Sequence, residues 1–394
     1  MRAKGRIWMP ETMWALVFDR SQDVWEHSRG LRKVRVAKPV LDEAADPSDT
    51  ERVLIKVLYS GFCGSDRGIW FRKAFRKTVH DSLDAEGKSA RVFGHELFGE
   101  IVQVGRLAAE RYGYKPGDLT TTESHIICGR CHQCLVGDTH VCSNEKTIGF
   151  SIDGCFAEYV KLPASALWPT DTEKIRPEVA CVQEPFGNAV HACTRVDLRG
   201  KTLAIFGCGT IGLFALLVAR AVGVSKIIGI EPNPENRRLA ERIGVDEMVG
   251  FEPVAGSWEG DPAVVERVRG FGGEGVDVAM EMSGHNSSLN SAISSVRRGG
   301  DVVLFGINGG DFTIQDFSEI ITNGISLHSV FGRQIFRTWT MTRNLLESAH
   351  TGVQDKVWDV ILNRGEGTIV DIGDYEPEAF ERSILAHPKI IIRW

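Results

Sequence analysis

Four cysteines crowd into one short stretch, Cys128, Cys131, Cys134 and Cys142, in a C-x2-C-x2-C-x7-C pattern. Two-residue spacers let neighbouring thiolates turn inward on one loop, as tetrahedral zinc requires. Disulfides are the competing reading. Bridging cysteines three positions apart strains the loop, and the start of the chain shows no secretory core. The pattern predicts a closed zinc site that fixes a loop and does no chemistry itself. Cys155, Cys181, Cys193 and Cys208 are expected to be small buried hydrophobes.

A second set of residues suits an open site. Cys63 lies in Gly61-Phe62-Cys63-Gly64-Ser65-Asp66, and His95 and Glu96 lie in Gly94-His95-Glu96-Leu97-Phe98-Gly99. Glu184 stands just before Pro185. Thiolate, imidazole and carboxylate are all zinc ligands, and three protein donors leave a position for substrate. Taken singly, Cys63 and His95 read as core residues. Their company with the four-cysteine loop and a nucleotide motif points to chemistry.

That motif is Gly207-Cys208-Gly209-Thr210-Ile211-Gly212, a G-x-G-x-x-G that follows an apolar strand and opens a helix. Gly207 permits the tight turn, Gly209 lets a pyrophosphate approach the backbone, and Gly212 lets the helix pack on the strand. Glu231 ends the next strand, where a carboxylate holds the adenosine ribose and repels a 2′-phosphate. NAD is therefore expected over NADP, with Arg237 and Arg238 close enough to weaken the preference.

These residues need elements to hold them. From Met13 to about Tyr159 the chain reads as short strands cut by glycine and polar turns, among them Arg52–Tyr59, Gly99–Val104 and Ala157–Leu162. The basic-then-polar stretch Phe71–Ala90 reads as an exposed excursion, either a solvated loop or a lid. Past Pro185 strands alternate with helices: a strand at Thr202–Phe206, a helix at Thr210–Val222, then strands at Lys226–Ile230, Val276–Met280, Asp301–Gly306 and Ile325–Phe331. A helix at Thr338–Ala349 and a last strand at Lys389–Ile392 follow. The expected fold is α/β: a β-rich domain beside a doubly wound parallel sheet.

Composition narrows the function classes. The 394 residues carry 46 basic against 52 acidic side chains, a net charge of −6, so no basic surface for nucleic acid or membrane is expected. The longest apolar run, Ile211 to Val224, is broken by Arg220 and is too short to cross a bilayer. A cytoplasmic enzyme is the expectation.

The quoted segments resemble the zinc-containing medium-chain dehydrogenase/reductase family from about Met13 to Trp394. Within it the closest likeness is to the L-threonine 3-dehydrogenase branch. Three segments carry that likeness: Glu123-Ser124-His125-Ile126-Ile127-Cys128-Gly129, Glu184-Pro185-Phe186-Gly187-Asn188-Ala189-Val190-His191 and Phe331-Gly332-Arg333-Gln334-Ile335-Phe336. The resemblance implies a GroES-like catalytic domain over residues 1–187, completed by 332–394, and a Rossmann domain over 188–331. It implies two zinc ions per chain, one catalytic on Cys63, His95 and Glu96 with Glu184 as a displaceable fourth ligand, and one structural on the four-cysteine loop. It also implies a homotetramer or homodimer. Phe305, Gly306, Ile307, Val330 and Phe331 fall where the family lines the nicotinamide pocket, and His125 falls near the substrate.

The implied reaction is oxidation of a secondary alcohol to a ketone on a small polar substrate, with Ser65 taking the hydroxyl proton. L-threonine is one candidate; a sugar, polyol or aminocyclitol is the alternative. Gly68 departs from the family, since many members carry there a histidine that relays the proton. A non-catalytic nucleotide-binding protein and a zinc-free quinone reductase are both disfavoured by the intact ligand set.

Overall fold

The structure, a computed structural model, describes residues 11–254, 256–307 and 310–394. The chain opens with β1 (Thr12–Asp19), β2 (Arg32–Ala37), β3 (Arg52–Phe62), β4 (Ala90–Val92), β5 (Glu96–Val104) and β6 (Leu119–Thr122). A hairpin of β7 (His125–Ile126) and β8 (Lys146–Thr147) brackets the four-cysteine loop, and β9 (Tyr159–Pro163) and β10 (Leu167–Pro169) follow. The next six strands are β11 (Thr202–Phe206), β12 (Lys226–Ile230), β13 (Glu247–Val249), β14 (Val276–Glu281), β15 (Val296–Leu304) and β16 (Ser326–Ser329). Last come β17 (Ile369–Asp371) and β18 (Ile390–Arg393).

Two compact units result. One holds the described residues up to Cys131 with Ser143–Glu184 and Gly367–Trp394; the other holds His132–Cys142 and Pro185–Glu366. The tail therefore rejoins the first unit, but only from Gly367. Residues 332–366, which the sequence reading gives to the first domain, cluster with the second. The reason is local bonding. Arg242 donates to the Asp359 carbonyl at 3.0 Å, and Lys356 donates to the Arg242 carbonyl at 2.9 Å.

In the first unit the main sheet runs β10-β6-β5-β3-β18-β17, with β9 also pairing to β3. The middle strand, β3, bonds β5 along one edge. Its other edge is shared, β9 taking Arg52–Lys56 and β18 taking Tyr59–Phe62. Val53, Ile55, Val57, Leu97 and Ile101 are fully or almost fully buried between these strands. This is the β-rich half of the fold.

The Phe71–Ala90 stretch corrects an expectation. It contains α2 (Arg76–Glu86), which follows α1 (Gly64–Trp70), and α2 is not a solvated loop. Val79 and Leu83, four positions apart and so on one helical face, are completely buried among Phe18, Trp25, Phe93 and Phe150. Burying two such side chains contributes about 1.5–3 kcal/mol each.

The second unit is a six-stranded, wholly parallel sheet in the order β13-β12-β11-β14-β15-β16. Helices α3 (Thr210–Val222), α4 (Pro234–Ile243), α5 (Pro262–Gly272) and α6 (Asn286–Ser295) alternate with its strands. Its order reverses at β11, the Rossmann switch point where ligands bind beyond the strand ends. β11, α3 and β12 begin and end where the apolar runs of the sequence place them.

Candidate metal and nucleotide sites

Among the described residues two groups of Cys, His and Glu side chains could hold a cation. In the first, the ligand atoms of Cys63, His95 and Glu96 all lie within 4.8 Å of one another. The sheet sets this geometry. Cys63 directly follows β3 and caps α1, while His95 and Glu96 sit at the start of β5, with Gly61 opposite Glu96 in register. A Cβ at Gly61 would displace Glu96 Oε2, the outer end of that side chain.

Asp66 orders the other two donors. Its Oδ2 accepts from the Cys63 backbone N–H at 2.9 Å, and its Oδ1 lies 3.5 Å from His95 Nδ1. Burial alone would strip the proton from His95, yet Asp66 and then Cys63 outweigh it and raise the imidazole well above its ordinary range. A bound cation takes the place of such a proton. Burial lifts the Glu96 carboxyl, with Glu184 adding to the lift and Lys389 opposing it. Glu96 Oε2 is held by the Lys389 ammonium, whereas buried Glu96 Oε1 has no hydrogen-bond partner. A soft thiolate, an imidazole and an unsatisfied carboxylate oxygen fit zinc.

Around this group, Ser65 Oγ stands 3.4 Å from His95 Nε2. Glu184 is buried and its charge reaches Glu96, but it lies outside the three-residue group. His125 keeps its Nδ1 3.3 Å from Glu123 Oε1, and its backbone N–H donates to the same oxygen at 3.0 Å. A buried carboxylate thus fixes the ring's tautomer and orientation.

The α1–α2 connection shapes the neighbourhood. Lys73 and Ala74 both donate backbone N–H to the Gly68 carbonyl, and a Cβ at Gly68 would lie 3.0 Å from the Ala74 Cβ. A histidine there would require the connection to move. The next residue, Phe75, adopts a left-handed backbone (φ 65°). Its ring packs 4.9 Å from Phe150, which in turn lies 5.3 Å from His95.

In the second group, Cys128, Cys131, Cys134 and Cys142 bring their sulfurs within 4.8 Å of one another. None of the four is in a disulfide, nor are Cys155, Cys181, Cys193 and Cys208, which are buried. Four thiolates and no other donor make a closed zinc set.

The glycine loop joins β11 to α3. Gly207 has φ +96°, open only to glycine without strain, and nothing lies within 4 Å of a Cβ built at Gly209, which caps α3. A Cβ on Gly212 would collide with the Gly207 carbonyl, so strand and helix meet closely there. Thr210 and Ile211 form the first turn of α3, and a helix N-terminus of this kind suits an anion. Glu231 Oε2 accepts from the Cys208 N–H at 2.7 Å and Oε1 from the Asn233 N–H at 2.8 Å. Arg237 donates to the Glu231 and Pro232 carbonyls, and Arg238 pairs with Glu235, so both guanidinium groups are engaged locally.

Phe305, Gly306 and Ile307 follow β15, and Val330 and Phe331 follow β16, all at the carboxyl ends of adjacent parallel strands. Ile307 and Phe331 are exposed, while Val330 is buried. Two of the branch-like segments also meet: buried Arg333 donates to Asn188 Oδ1 at 2.8 Å, and His191 Nδ1 lies 3.0 Å from the Gly332 carbonyl. Sequence reasoning passed over Asp66, Glu123, Arg333 and Lys389. Asp66, Glu123 and Arg333 lay inside quoted motifs. Lys389 read only as the first residue of the last strand.

Comparison with known proteins agrees with both halves. Residues 49–172 match the alcohol dehydrogenase GroES-like domain, and residues 210–348 match the zinc-binding dehydrogenase domain. The L-threonine 3-dehydrogenase of Bacillus subtilis (strain 168) is 36% identical over 78% of this chain and 84% of its own length. That of Pyrococcus furiosus is 34% identical over 90% of this chain and 92% of its own. Among solved structures, 2R,3R-butanediol dehydrogenase from Bacillus subtilis superposes with a TM-score of 0.76 at 23% identity, covering 97% of this chain and 99% of that one.

Proposed function

The chain belongs to the zinc-binding alcohol dehydrogenase family, oxidoreductases acting on CH–OH groups, and from that premise we propose that it oxidises a secondary alcohol to a ketone with NAD. The substrate we favour is a small polar one in the manner of L-threonine, giving 2-amino-3-oxobutanoate. The observation that carries this reading is the Cys63–His95–Glu96 group, with one buried glutamate oxygen unsatisfied.

Zinc on Cys63, His95 and Glu96 would supply Lewis acidity toward the substrate hydroxyl, and NAD would supply the hydride acceptor. Ser65, beside His95, takes the hydroxyl proton. Glu184 would be a further carboxylate ligand for that zinc, and His125, oriented by Glu123, contacts the polar groups next to the reacting carbon. A second zinc on Cys128, Cys131, Cys134 and Cys142 is structural. Gly207, Gly209, Thr210, Ile211 and Gly212 receive the pyrophosphate and Glu231 the ribose. Phe305, Gly306, Ile307, Val330 and Phe331 flank the nicotinamide. Glu231 supports NAD over NADP, since its carboxylate lies beside the glycine loop, where it would repel a 2′-phosphate. The same reading carries a cytoplasmic homotetramer or homodimer.

A second reading, a sugar, polyol or aminocyclitol substrate, is favoured by Phe75. Its partly exposed ring, packed on Phe150, offers an apolar face suited to the C–H face of a ring. The test is NAD reduction, followed at the nicotinamide absorbance, against L-threonine, other β-hydroxy amino acids, hexoses, polyols and aminocyclitols. Turnover of threonine with a low KM supports the first reading. Silence on threonine with turnover of a cyclic alcohol replaces it with the second.

A further inference from the structure

Glu96 and Lys389 come to the same point from opposite sides of β3. Glu96 opens β5 on one edge, facing Gly61, while Lys389 immediately precedes β18, which pairs with Phe62 and Gly61 on the other. Both side chains are buried, at 0% and 1% exposure, so neither charge can be met by water. The missing side chain of Gly61 leaves the gap in which they meet. The ammonium engages Glu96 Oε2 and also donates to the Phe62 carbonyl at 3.3 Å, which fixes it in place. Glu96 Oε1 is left buried with no hydrogen-bond partner.

We propose that Lys389 is a positioning residue that makes Glu96 a one-oxygen metal ligand: by occupying Oε2 it leaves Oε1 as the only oxygen for the cation. This rests on the reading of Cys63, His95 and Glu96 as the catalytic zinc site. Two consequences follow. A carboxylate with both oxygens free can chelate and fill the coordination position that substrate needs; a tethered one cannot. The buried ammonium also offsets the Glu96 charge, so of Cys63, His95 and Glu96 only Cys63 would bring the cation an uncompensated negative charge, and the cation would keep more of its pull on the substrate oxygen.

The test uses the full chain with Co2+ placed at the catalytic site and its visible spectrum as readout. Lys389→Met should lower the intensity of the cobalt bands by about half or more, as a four-coordinate site becomes five-coordinate. In a Glu96→Gln background, the same change at Lys389 should leave the spectrum where Glu96→Gln alone puts it. Should Lys389→Met fail to fold, Gly61→Ala, which drives a methyl group into the place of Oε2, is expected to produce the same spectral loss. An unchanged spectrum in Lys389→Met, or an equal change with Glu96 already replaced, overturns the tether. Metal analysis of Cys63→Ala separates this from the underlying reading. Two metal ions per chain retained in that variant overturns the site assignment and the tether together, whereas one ion lost with an unchanged Lys389→Met spectrum overturns the tether alone.

Discussion

The two cysteine-bearing groups differ in what holds their donors in place. Cys63, His95 and Glu96 hang on the ends of β3 and β5, strands whose register is fixed by a buried apolar core. Asp66 and Lys389, both buried, steer them from behind. Cys128, Cys131, Cys134 and Cys142 sit on a loop rather than at the ends of long strands. Between the two-residue strands β7 and β8 the loop offers a helix of five residues, His132–Val136, with no buried side chain. Its Leu135, Val136 and Val141 are exposed. In the first group the fold makes the site. In the second, a bound metal would make the local fold, as in small zinc modules generally.

That contrast can be broken. Cys63→Ala should reduce turnover by at least about a thousandfold, since Lewis-acid stabilisation worth several kcal/mol is lost, while NAD binding measured by fluorescence titration persists. Turnover equal to the parent would end the catalytic reading of the first group. Ser65→Ala should lower kcat by about a hundredfold or more with metal content unchanged; a drop in metal content instead would make Ser65 part of the scaffold. Asp66→Asn should loosen zinc by about 10–100-fold in competition with a chelator, because both ligands it steers lose a negative partner. Cys134→Ser completes the series with the smallest catalytic effect. One metal ion per chain is lost and the unfolding midpoint falls, but turnover per folded molecule stays within about threefold, as expected of a structural site. If Cys134→Ser silenced the enzyme as thoroughly as Cys63→Ala, the division of labour would be wrong.

How far the sequence carried the reading follows the same divide between local and distant causes. The turn from β11 into α3 was legible because its signals are adjacent: an apolar run, three spaced glycines and a helical run. The donors Cys63, His95 and Glu96 were legible because each sits in a short distinctive motif. The helix α2 was not, since Arg76–Glu86 is mostly charged and polar, and only its context shows that Val79 and Leu83 are buried. Residues 332–366 cluster with the second unit, and nothing near them in sequence announces Arg242 as their partner. Lys389 was hidden for the same reason. A lysine before a strand is ordinarily solvated, and its partner Glu96 lies 293 positions away.

That separation reaches back into how the protein is made. A chain emerging from the ribosome completes β1 to β10, then the entire six-stranded parallel sheet, before β17 and β18 exist. Until then the Tyr59–Phe62 edge of β3 has no β18 to bond and Glu96 has no counter-charge. The second unit, continuous from Pro185 to Glu366 apart from the short His132–Cys142 piece, is by then fully synthesised. A growing chain therefore carries one finished half and one open sheet edge, the kind of edge that pairs with other chains. The surroundings of Cys63, His95 and Glu96 are therefore complete only when the last strands of the chain are in place.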